Sequence, residues 1–141
     1  MTTGRARHGE EEGSVLLLTL GYVLLAVTVV FVCVCATDLY IAQKRLDALA
    51  DSAALAGADG FTLQVSGDDV RAELTDAGVQ EQASALVAAL PGDAALAAAG
   101  TPDGVSARVT VTTTWHPPLL SPFVPDGVAL ESTATSRTAL E

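Results

Sequence analysis

Residues Val15 to Ala36 carry no charged side chain, and this run constrains the chain more than any other feature. At about 1.5 Å per residue, roughly 22 helical residues reach about 33 Å, the thickness of a bilayer's hydrocarbon core. Fourteen of them are Leu, Val or Phe. At about −0.3 to −0.6 kcal/mol each, these favour insertion by roughly 4 to 8 kcal/mol, opposed only by small terms from Thr19, Gly21, Tyr22 and Thr28. The run therefore predicts a membrane-spanning helix over 14–37. A signal peptidase could read Val34-Cys35-Ala36 as a small-residue cleavage site, giving a secreted product that starts at Thr37. Secretory cores, however, have apolar stretches of only about 7–15 residues, and this run is longer.

The polar remainder limits what the chain can bind. A net charge of −10 with only seven Lys and Arg excludes a nucleic-acid partner, because phosphate recognition needs a basic patch. Arg5 and Arg7 precede the span, and Lys44 and Arg45 follow it, so the basic residues near the two ends are tied and do not orient it. Polarity does orient it. A short charged tail over 1–13 suits the cytoplasm, and the Thr-, Ser- and Asp-rich remainder suits an aqueous exterior. The expected location is the inner, or cytoplasmic, membrane, crossed once with the C-terminal part outside the cytoplasm. Both cysteines, Cys33 and Cys35, lie in the span at i and i+2, on nearly opposite sides of a helix, and cannot bridge each other. The exported part must fold without disulfides or a thiolate metal site. Val32, a bulky residue before Cys33, argues against lipid attachment there.

No Gly or Pro separates Asp38 from Ala56, so the helix is expected to continue out of the membrane as a stem over 38–60, ended by Gly57 and Gly60. Leu39, Ala42, Leu46, Leu49, Ala53 and Ala56 are spaced by three and four and form a stripe on one helix face. Its small residues permit close approach of another helix or a sheet. Two occupants fit equally: a helix of another protein, or the chain's own exported domain.

The order of these features carries a resemblance. Gly13-Ser14 opens the apolar span, Asp38-Leu39-Tyr40 follows it, and Arg45-Leu46-Asp47-Ala48-Leu49-Ala50-Asp51-Ser52-Ala53-Ala54-Leu55-Ala56-Gly57-Ala58 continues it. Together they resemble the N-terminal segment of TadE/TadG-like proteins of Flp-type (Tad) pilus assembly, over roughly a third of the chain. The resemblance implies a membrane-anchored, minor pilin-like component of a pilus or secretion apparatus. Its partners would be other membrane proteins of that apparatus together with the bilayer, and the stem is a possible surface for homo- or hetero-oligomers. It also makes Gly13 and Ser14 the candidate processing junction. Type IV prepilins carry a Glu five residues into the mature chain, whereas the corresponding residue here is Leu18. The Asp-x-Ser-x-Ser metal motif of larger TadG proteins does not occur in the sequence.

For residues 61–141 the sequence predicts a small exported α+β domain, similar to a reduced pilin head. Asp68 to Leu90 reads as a second helix, with acidic residues at its positive end and a stop at Pro91-Gly92. Asp93 to Ala99 reads as a short helical turn. Val105 to Trp115 alternates apolar and polar residues, which predicts a strand burying Val105, Ala107, Val109 and Val111. Val128 to Thr138 predicts its antiparallel partner. The fold class expected is α+β: a long transmembrane helix continuing into an amphipathic stem, a second helix and a small antiparallel hairpin or sheet. The connection between the strands, His116 to Gly127, is Pro-rich and apolar, and Leu119, Leu120, Phe123 and Val124 could meet a partner or cover the sheet.

Nothing in the sequence assembles a catalytic, cofactor or metal site. His8 and His116 are isolated, and neither a phosphate-binding Gly loop nor a nucleophile elbow is present. Asp47 and Asp51 share a helix face at i and i+4, an arrangement expected of a solvated surface. The expected function is therefore structural or assembly-related and non-enzymatic. The alternative is a generic single-pass anchor that presents a binding module.

Overall fold

The computed structural model describes residues 8–67, 69–118 and 120–137. They form α1 (His8–Ala58), β1 (Thr62–Ser66), β2 (Asp69–Glu73), α2 (Asp76–Ala89), β3 (Ala95–Gly100), β4 (Ser106–Trp115) and β5 (Val128–Arg137). The class is α+β. The chain divides into two compact units, one ending at Asp38 and the other starting at Leu39. The continuous helix α1 contributes to both.

Within the first unit α1 is a bare apolar rod. Large side chains from Val15 to Val34 are mostly exposed. The hydroxyls of Thr19, Thr28 and Thr37 donate to the carbonyls of Val15, Leu24 and Cys33, each at 2.8 Å. These internal bonds remove the penalty such groups would otherwise incur in hydrocarbon.

The second unit places the stem of α1, together with α2, on one face of the antiparallel sheet β3-β4-β5. Ala107, Val109 and Val111 of β4 are fully buried, and their β5 partners are Ser136, Ala134 and Ser132. Leu46, Ala50, Ala53, Ala54 and Ala58 of α1 and Val79 and Ala83 of α2 complete the core. Small residues make this layer thin. A Cβ on Gly57 would lie 2.9 Å from Val79 Cγ1 and 3.3 Å from Ala107 Cβ, so α1, α2 and β4 converge where only hydrogen fits. On the opposite sheet face Arg108, Thr133 and Thr135 are exposed and Thr110 is half-buried, and Thr110 and Thr133 pair through their hydroxyls at 2.8 Å.

Three local expectations are corrected. The helix expected over Asp68 to Leu90 begins only at Asp76, because residues before it form the β1–β2 hairpin. Gly67, at φ +69°, supplies the left-handed conformation of its turn. The true helix start is Thr75, whose side chain accepts from the Gly78 amide at 3.2 Å. The helical turn expected over Asp93 to Ala99 is instead, from Ala95 on, strand β3. Pairing with β4 from Ala95–Thr112 to Gly100–Arg108 overrides the helix preference of alanine. Val105, assigned to the buried face, is 41% exposed and precedes β4.

Candidate functional site

The features that can carry a function are surfaces. The first is the span. The α1 segment from Gly13 is the one helix among the described residues long and apolar enough to cross a membrane. Gly13 and Ser14 lie within this helix and are exposed. Cys33 and Cys35 are free thiols.

The second surface is the stem. Of the stripe read from the sequence, Leu46 and Ala53 are buried in the core of the second unit. Leu39, Ala42 and Leu49 are half-buried against it, and Ala56 is half-buried. The most enclosed stem positions also include Ala50, Ala54 and Ala58, one helical step away from the stripe. The stem's solvent side carries Ile41 (42% exposed), Ala48 and Leu55 (57% exposed), spaced by seven. Sequence reading overlooked this row, although its seven-residue recurrence was visible. A groove of about 600 Å³ adjoins the stem, between Arg45, Leu49 and Ser52 of α1 and the Leu90–Ala94 connection.

Polar side chains fix the stem to the far strand. Asp47 Oδ1 accepts from Gln43 Nε2 at 3.0 Å and from Ser132 Oγ at 2.8 Å, while Oδ2 accepts from Lys44 Nζ at 3.1 Å. The Gln43 bond first, then those from Ser132 and Lys44, holds the Asp47 carboxyl below its ordinary range. The same pairing raises the Lys44 ammonium. Gln43 Nε2 also donates to the Glu131 carbonyl at 3.2 Å. Asp47 is thus a clamp of the stem, while Asp51 is exposed.

A second carboxylate orders the turn before β4. Asp103 accepts from the amides of Ser106 (2.6 Å) and Val105 (3.0 Å) and from the Ser106 hydroxyl (2.9 Å). These bonds, with the Ser106 amide foremost, lower its carboxyl. The Gly104 carbonyl accepts from the Leu74 amide at 2.8 Å, joining this turn to the segment before α2.

The third surface is the β4–β5 loop. Leu119 lies outside the described residues. Leu120 and Val124 are half-buried, and Phe123 is 81% exposed. The chain turns on itself here, with the Phe123 and Val124 amides donating to the Leu120 carbonyl at 2.8 and 2.9 Å. Among the described residues no three His, Cys, Asp or Glu side chains gather at metal-binding distance.

No curated protein and no solved structure matches the chain. Residues 13–60, the span and the stem together, match the model of the Flp pilus-assembly TadE/G-like family.

Proposed function

We propose that this protein is a membrane-anchored structural or assembly component of a Tad-type pilus or related secretion apparatus, with α1 crossing the inner membrane once and the second unit outside the cytoplasm. The observation that carries this reading is the family match across the apolar span and its continuation, residues 13–60. The exposed apolar side chains of the span support a lipid environment. Within the second unit the head is tied to the stem by the shared core and by the Asp47–Ser132 bond. A minor pilin-like role, without catalysis, is the finer form of this proposal. Contacts with other membrane proteins of the apparatus, or with further copies of the chain, would use the outward side of the stem.

Cysteine crosslinking in native membranes tests it. Leu46 and Ala53 are committed to the chain's own core, so the informative positions are Ile41, Ala48 and Leu55. Crosslinks to pilus or secretion components along this row are expected. A protein that yields none, in cells whose pili assemble normally without it, is an anchored binding module instead.

A further inference from the structure

We propose that the β4–β5 loop, Pro117 to Gly127, rests on the lipid surface and inserts Leu120 and Phe123 at the headgroup boundary; this rests on the membrane reading above.

Three contacts give the direction of the second unit. Gly57 of α1 faces Ala107, at the start of β4. Gln43 bonds Glu131, opposite Thr112 in the register, and Ala42 and Arg45 line one groove with Thr113. Descending α1 from Gly57 to Gln43 therefore follows β4 toward Trp115, and its partner strand toward Val128. Val128 lies three residues, about 10 Å, beyond Glu131 along the strand, whereas Leu39 lies four residues, about 6 Å, beyond Gln43 along the helix. The loop between Trp115 and Val128 thus leaves the second unit at its Leu39 end, where the chain joins the apolar run.

The composition at that end suits lipid. The loop holds four prolines and, in Asp126, a single charged side chain. Its one aromatic side chain, Phe123, is 81% exposed. Prolines have no amide hydrogen, and the Leu120, Phe123, Val124 and Gly127 amides donate within the loop at 2.8 to 3.3 Å. The Ser121 hydroxyl also donates internally, to the Pro117 carbonyl at 2.8 Å. Among the described loop residues, two backbone donors, the Ser121 and Asp126 amides, remain to be desolvated, which lowers the cost of entering the interface. Tyr40 and Trp115 lie at the same end, aromatic types enriched at the headgroup level. The Lys44 ammonium, ion-paired with Asp47 at 3.1 Å, lies 5.8 Å from the Tyr40 ring centre.

The test uses the full chain, with Cys33 and Cys35 changed to Ala, in phosphatidylethanolamine–phosphatidylglycerol bilayers. Single cysteines at Phe123, Leu24 and Asp59 carry an environment-sensitive fluorophore, and lipids spin-labelled near the headgroup, or deep in the acyl chain to reach position 24, serve as lipid quencher. The fluorophore at 123 is expected to lose about half its emission to the headgroup label, consistent with shallow burial, the one at 24 about half to the chain label, and the one at 59 none to either. Phe123→Glu, with the fluorophore moved to Leu120→Cys, should abolish the loop's quenching. Quenching at 24 with position 123 open to aqueous iodide overturns the proposal and leaves the membrane reading standing. Position 123 shielded from both quenchers also overturns it, showing a protein cover. Absence of quenching at 24 and 123 overturns both readings together.

Discussion

Ser132 donates its hydroxyl hydrogen to the Asp47 carboxylate at 2.8 Å, joining residues 85 positions apart. Asp47 lies on the stem of α1 and Ser132 on β5, so this bond fixes the helix to the strand farthest from α2. Replacing either residue, Asp47→Asn or Ser132→Ala, is expected to lower the melting temperature of the head. The double variant should lose less than the sum of the two. A double-mutant cycle measured by thermal unfolding of the reconstituted chain reads this coupling; additive losses would mean that the two side chains act independently.

Acid should weaken the same unit. The carboxyls of Asp47 and Asp103 sit below their ordinary value of 3.8 when folded, so near that pH the unfolded chain binds more protons than the native one. Their contribution is complete above the unfolded value and is lost as pH falls through the lowered folded values. Melting temperature of the wild type should therefore fall below about pH 4. Asp47→Asn with Asp103→Asn should start lower and show a shallower fall over the same range.

Gly57 should reject even a methyl group. Alanine gains about 1 kcal/mol of helix propensity over glycine, but overpacking a tight core costs about 1–3 kcal/mol. With Val79 Cγ1 at 2.9 Å from the added Cβ and Ala107 at 3.3 Å, the second effect wins. Gly57→Ala is expected to destabilise the head and Gly57→Leu to prevent its folding. Gly21, in the span with nothing within 4 Å of its added Cβ, is the control, and Gly21→Ala should leave the head's unfolding unchanged. Circular dichroism melts distinguish the three variants.

The start of α2 offers a separate check. Thr75→Ala removes the side-chain acceptor of the Gly78 amide and should cost about 1 kcal/mol. Gly100→Ala should act nearby through a different route. Its Cβ would lie 2.8 Å from Asp76 Oδ1, the atom that accepts from the Thr101 amide at 2.7 Å. Amide exchange should rise at Gly78 in the first variant and at Thr101 in the second.

The sequence reveals most where one physical requirement dominates. The span follows from its uncharged length, and β4 and β5 follow from alternation reinforced by Val and Thr. Local signals mislead where tertiary pairing decides. Alanine at 95 and 97–99 reads as helix, yet these residues form an edge strand along β4, against which α2 packs. Acidic residues at 68 and 69 imitate a helix start, while Ser66 and Asp69 pair across a tight turn. For the stem, periodicity identifies the apolar side but not its occupant, and the structure fills that side with the chain's own sheet. The Asp47 clamp was invisible for the same reason, since its partner on β5 becomes a neighbour only after the sheet forms.

The central claim, an anchored stem carrying an exported head, meets its most direct test in the labelling of a single cysteine at Asp59 with a membrane-impermeant maleimide. The background is Cys33→Ala and Cys35→Ala, and the experiment uses spheroplasts followed by alkaline extraction of their membranes. The account predicts label on a protein that stays in the alkali-washed membrane pellet. Labelling only after lysis, or release of the labelled protein into the alkaline supernatant, would contradict it.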